Sequence, residues 1–125
     1  GTPLSTTELK GKVIVIEFWA TWCRTCISEI PLMKKIYEEY KDRGVEFIGI
    51  SLDEYPDTVI QYCIENNIDW PQYCEENKIW DTDISRSWGI KAIPTVFLIG
   101  KDGQIISREA RGQLEKLIPL ALADK

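Results

Sequence analysis

Val13-Ile14-Val15-Ile16-Glu17-Phe18-Trp19-Ala20-Thr21-Trp22-Cys23-Arg24-Thr25-Cys26 is the stretch whose reading decides the fold. Its first seven residues are almost continuously apolar and rich in β-branched side chains. That composition belongs to a strand covered on both faces, hence to a central strand of a parallel or mixed sheet. A helical pattern follows at once: Ile27, Ile30, Met33, Ile36, Tyr37 and Tyr40 recur at steps of mostly three and four residues, and Gly44 closes the run. Pro31 lies inside this helix and is expected to kink it. Val45 to Ser51 reads as the next strand.

Further along, Asp57 to Asn67 reads as a second helix with Val59, Ile60, Cys63 and Ile64 facing inward, and Trp70-Pro71 breaks it. Cys74 falls in an expected short strand. Asp81 is placed to cap a short helix through Ile84 and Trp88 that Gly89 ends. Thr95 to Ile99 and Gln104 to Ala110 read as strands joined by Lys101-Asp102-Gly103, a hairpin signal. Gln113 to Ala123 reads as a last helix, weakened in the middle by Pro119. The alternation predicts an α/β three-layer sandwich: a central mixed sheet with helices on both faces and an inserted helix and strand. All 125 residues are expected to form one domain, with residues 1–8 as a linker or processing remnant.

A net charge of -5 opposes a nucleic-acid partner, because phosphate binding needs concentrated Lys and Arg. No apolar run reaches the length of a transmembrane helix. Four Cys and no His supply one tightly spaced pair and not the second that a zinc ribbon needs, so neither a metal nor another cofactor is expected. Nothing in the sequence asks for an oligomer, and a monomer is expected.

Thiol exchange needs two thiols within reach of each other, one of them partly ionised at neutral pH. Cys23 stands where a buried strand meets a helix, so unpaired backbone N–H groups and the neighbouring Arg24 favour its thiolate. Cys26 falls one turn further on the same face, the place for a resolving thiol. The spacing alone also fits two inert buried thiols or half of a metal site. Glu17 is the one charge in an apolar strand, and burial is expected to raise its pKa. Its alternative is a strand end open to water. Glu29, three residues after Cys26, shares the helical face of the thiols, where a carboxylate opposes thiolate formation; a merely exposed helical Glu is the other reading. Cys63 and Cys74 read as reduced thiols acting as small hydrophobes, with a disulfide between them as the alternative.

The run Phe18-Trp19-Ala20-Thr21-Trp22-Cys23-x-x-Cys26, with Pro31 five residues on and Ile93-Pro94-Thr95 downstream, resembles the thioredoxin superfamily. From about Leu9 onward it resembles more closely the TlpA/ResA-type thiol-disulfide oxidoreductases of the bacterial cell envelope. The cues are Leu9-Lys10-Gly11-Lys12, Gly44-Val45-Glu46-Phe47 before Ser51-Leu52-Asp53, the inserted helix, and Ile93 to Ile99 before Lys101-Asp102-Gly103. The resemblance implies that Cys23 and Cys26 are the redox pair, that Glu17 accepts the Cys26 proton and that Glu29 tunes the pair. It also implies that Pro94 is cis, with the Ile93 backbone and Trp22 forming the substrate surface. The implied partners are disulfide-containing or thiol proteins and a membrane-bound thiol electron donor, in a periplasmic or extracytoplasmic setting, with reduction the usual direction. Two other classes use similar parts. A thiol peroxidase of the peroxiredoxin kind needs Thr three residues before its reactive Cys, where Cys23 has Ala20; a non-catalytic Cu(I) chaperone would use the two thiols as soft ligands. Arg24-Thr25 departs from the Gly-Pro of thioredoxin, which leaves the redox potential and direction of electron flow open.

Overall fold

All seven residues of β1, Val13–Trp19, are buried. In this computed structural model, which describes residues 11–75 and 83–123, β1 is the middle of a five-stranded mixed sheet. On one side it pairs in parallel with β2, Val45–Ser51, from Val13 opposite Val45 to Trp19 opposite Ser51. On the other it runs antiparallel to β4, Thr95–Ile99. The short strands β3, Gln72–Cys74, and β5, Ile105–Ser107, form the edges, giving the order β3-β2-β1-β4-β5. The cap assigned to Asp81, the cue at Leu9-Lys10 and the reading of residues 1–8 lie outside the described residues.

The period of two along β1 divides its side chains between two cores. Val13, Val15 and Trp19 face the larger core, with Met33 and Ile36 of α2, Ile30–Tyr40, and Leu114 and Ile118 of α5, Leu114–Ala123. Ile14, Ile16 and Phe18 face the smaller one, closed by Phe97 and by Trp88, which follows α4, Asp83–Ser87. Glu17 has the parity of Val15 and Trp19 and therefore enters the larger core.

The expected single helix after the cysteines is two helices. α1, Arg24–Ser28, stops at Glu29, and α2 starts at Ile30. Pro31 is the cause: its ring would clash with the Ile27 carbonyl in a continuous helix, whereas in the first turn of α2 its missing N–H costs nothing. The inward face assigned to α3, Pro56–Glu65, is corrected as well. Val59 and Cys63 are buried, but Ile60 and Ile64 are 55% and 66% exposed. α3 packs over the short edge strand β3, so Val59, Cys63 and Tyr62, whose ring lies against Trp19, meet apolar neighbours while Ile60 and Ile64 face outward. β5 is shorter than the strand expected over Gln104 to Ala110. A register shift between Leu98 and Ile99 makes the ladder irregular within β5, between Ile105 and Ser107, and beyond Ser107 the chain meets β4 again through the Ala110 N–H to the Val96 carbonyl, 2.9 Å. α5 continues through Pro119, which lies on its exposed face, where water can reach the Glu115 carbonyl left without its usual donor.

One row of the sheet matters for the site. Glu17 lies opposite Gly49, and Gly49 opposite Gln72. The Gln72 side chain folds across Gly49 to accept a 2.8 Å hydrogen bond from Trp19 Nε1, and a Cβ on Gly49 would fall 2.0 Å from Gln72 Oε1. A larger residue there would push the end of the Gln72 side chain off Trp19.

Replacing fully buried Ile118 with Ala should lower stability by about 2–5 kcal/mol in denaturant unfolding. Leu120→Ala, on the exposed face of the same helix, should change it by no more than about 0.5 kcal/mol.

Candidate active site

The end of β1 delivers the chain into Ala20-Thr21-Trp22, and this loop is fastened from below. Asp53, 3% exposed and just beyond β2, accepts hydrogen bonds from the Thr21 N–H at 3.0 Å, from Thr21 Oγ1 and from Ser51 Oγ. The Leu52 N–H adds a 2.8 Å bond to the Trp19 carbonyl. These bonds join the ends of two neighbouring parallel strands, so the residue after the loop is presented from a fixed base.

That residue is Cys23, the N-cap of α1. Its backbone is extended, and its Sγ accepts the Cys26 N–H at 3.2 Å. An N–H aimed at the sulfur stabilises negative charge there once the bond to Cys26 is opened. In the structure Cys23 and Cys26 form a disulfide with Cα atoms 5.2 Å apart. Cys23 is 9% exposed and Cys26 only 1%, so the outer sulfur is the one a partner can reach. Trp22, 53% exposed, stands beside it.

Across the sulfurs lies the turn before β4. The Ile93–Pro94 peptide is cis, and the Ile93 carbonyl oxygen sits 3.9 Å from Cys23 Sγ. Ile93 precedes the strand and is outside its ladder, which leaves its backbone available to a visiting chain.

Glu17 is buried in the central strand, 5% exposed, not at a strand end. It has no hydrogen bond or ion pair among the described residues. Burial, and secondarily the negative charge of Glu29, push its pKa up to about 8 from the ordinary 4.5. Between those values the folded chain holds a proton that the unfolded chain has lost.

Glu29 departs from its expected placement on a continuous helical face with both thiols. It occupies the α1–α2 junction, and its carboxylate is engaged by Arg111, whose Nε lies 2.8 and 3.0 Å from the two carboxylate oxygens. Beneath this pair a cavity of about 40 Å3 reaches the Glu17 side chain. Arg111 and Asp53 were not legible as site residues in the sequence. Arg111 meets Glu29 across 82 positions, and Asp53 looks like any acid after a strand until its three donors are seen.

The two remaining cysteines are unpaired thiols. Cys63 is buried, which raises its pKa to about 11, and burial also raises that of Cys74, whose Sγ donates to the Asp53 carbonyl at 3.2 Å. Retained protons make both poor nucleophiles. Among the described residues no cluster of His, Cys, Asp and Glu could hold a metal ion, and no helix is long and apolar enough to cross a membrane.

A sheet of this order, with a Cys-x-x-Cys disulfide at the end of its central strand, is matched by the redoxin family model over residues 1–118. The chain belongs to the redoxin family. It is 34% identical over 119 residues to the thiol-disulfide oxidoreductase ResA of Bacillus anthracis, covering 92% of this chain and 66% of that protein. With the ResA of Bacillus subtilis it shares 26% over 118 residues, covering 94% of this chain and 64% of that one. The chain thus spans about two thirds of the length of these relatives. Among solved structures, a thiol:disulfide interchange protein of the thioredoxin family from Chlorobium tepidum superposes with a TM-score of 0.79 at 28% identity, covering 98% of this chain and 88% of that one. The expected thioredoxin-like fold is therefore correct.

Because Glu17 keeps a proton in the folded state that it loses when unfolded, its contribution makes stability fall as pH rises from about 4.5 to about 8. Glu17→Gln should remove that slope. In paired denaturant titrations of the oxidised protein, wild type should lose roughly 3–5 kcal/mol more than the variant between about pH 5 and pH 8.

Proposed function

We propose that this chain is a thiol-disulfide oxidoreductase that exchanges disulfides with partner proteins, working chiefly as a reductase. The observation that carries this reading is the Cys23–Cys26 disulfide at the start of α1, with its outer sulfur beneath the Ile93 carbonyl. ResA is the name borne by relatives over most of this chain.

In the reduced protein the Cys23 thiolate attacks one sulfur of a partner disulfide. That S–S bond breaks, the other partner sulfur leaves as a thiolate and takes a proton from water, and a mixed disulfide to Cys23 remains. The partner lies as an extended segment along the Ile93 backbone before Pro94, in the manner of an added strand, with Trp22 as an apolar platform beside the sulfur. Cys26 then gives its proton to Glu17 and attacks Cys23 Sγ. The mixed disulfide breaks, the second partner sulfur leaves as a thiolate, and the Cys23–Cys26 disulfide forms. Two electrons have moved to the partner.

Glu17 suits its part because burial brings its proton affinity close to that of a thiol, so the transfer from Cys26 is nearly balanced in energy and runs in either direction. Glu29 tunes the same step. Electrons return to the protein from a membrane-bound thiol donor, and the setting is the bacterial cell envelope, outside the cytoplasm. Arg24 and Thr25 set the potential that decides how far the reaction runs.

Cys26→Ser should accumulate a covalent complex through Cys23 with a disulfide-bonded substrate protein, visible on non-reducing gels and dispersed by dithiothreitol. Cys23→Ser should yield neither complex nor turnover. A Cys23→Ser variant with normal activity would sink the assignment.

A further inference from the structure

The cavity that reaches Glu17 is lined by Glu29, Arg111 and Glu115 and not by Cys23 or Cys26. At about 40 Å3 it has room for more than one water molecule and a carboxylate to bind it. A proton taken from Cys26 must eventually leave Glu17, and this is the space through which it can go.

The charges around that space come from three elements. Glu29 faces it from the α1–α2 junction, Arg111 from the segment after β5, and Glu115 from the first turn of α5. α2 and β4 line it with Met33, Ile36 and Val96 and bring no charge. Glu29 is the group whose charge Glu17 feels, and Arg111 is the cation seated on Glu29. Its Nε lies within 3.0 Å of both oxygens, which holds the carboxylate in one place and opposes its field at once.

We propose that Arg111 is a positioning residue for the exchange reaction: clamping Glu29 at the cavity mouth, it limits the negative field that Glu29 exerts on Glu17 and so sets the pH at which Glu17 can take the Cys26 proton. The inference rests on the assignment of Glu17 as that acceptor. Arg111 touches neither sulfur nor substrate; it acts through Glu29.

The sign follows from charge. Without the guanidinium, the uncompensated Glu29 carboxylate makes ionisation of Glu17 harder, so less Glu17 is available as a base at neutral pH and Cys26 resolves a mixed disulfide more slowly. Without the Glu29 charge, ionisation becomes easier, and Arg111 loses the partner that holds it at the cavity.

The test combines a 13C titration of the Glu17 side-chain carboxyl in the oxidised protein with the pH profile for resolution of a preformed mixed disulfide. Arg111→Gln should raise the Glu17 midpoint by roughly 0.5–1 pH unit and slow resolution at pH 7 roughly three- to tenfold. Arg111→Lys, which keeps the charge, should restore most of both. Glu29→Gln should lower the midpoint, and adding Arg111→Gln to it should produce a smaller shift than Arg111→Gln does alone, because the guanidinium is no longer held in place. A midpoint that stays or falls in Arg111→Gln overturns the proposal, as does a rise that persists undiminished in the double variant. Glu17→Gln separates the two readings. If it keeps the wild-type resolution profile, the acceptor assignment itself fails; if it abolishes that profile while Arg111→Gln is silent, only the role of Arg111 fails.

Discussion

A carboxyl group placed in the central strand, with no cation or hydrogen bond among the described residues to hold its charge, is the constraint around which this molecule is arranged. Left ionised, Glu17 would oppose folding by several times the energy of an ordinary surface substitution. The fold accommodates it by letting it keep its proton at neutral pH and by leaving a small cavity beside it. Packing it with a counter-ion would have removed the destabilisation and the chemistry together. β1 therefore has two tasks: three of its side chains fill each core, and the remaining residue, Glu17, carries a proton.

Around that group the structure separates rigidity from reactivity. Rigidity comes from the sheet and from Asp53, which ties the loop before Cys23 to the end of β2. Reactivity is confined to the short α1, where one sulfur is reachable and the other lies within the core. Burial holds the pKa of Cys63 and Cys74 above the ordinary thiol range; Cys63 packs in the core, and Cys74 donates to the Asp53 carbonyl.

Much of this was legible beforehand because β1, β2 and the cysteine pair are local patterns. A seven-residue apolar strand followed by Cys-x-x-Cys at a helix start names its own place in the sheet, and Val45 to Ser51 formed a strand with the expected bounds. The misses have physical causes that do not lie in local spacing. Ile60 and Ile64 fit an inward stripe by period, but which face of α3 is covered depends on how little sheet lies beneath it. The end of β5 depended on where the chain parts from β4 after Ser107, to meet it again at Ala110. Glu29 looked like a helical neighbour of the thiols until Pro31 broke the helix at that residue and Arg111 arrived from the far end of the chain.

The short helix α1 exposes Arg24 and Thr25 to solvent, while Cys26 and Ile27 anchor it in the core. The two residues between the sulfurs are thus free of packing duties, while the loop before them and the strand behind them are not. Selection can exchange this dipeptide without passing through poorly folded intermediates. A change in this dipeptide would alter the surroundings of the sulfurs and leave the core, the buried acid and the Ile93–Pro94 turn as they are.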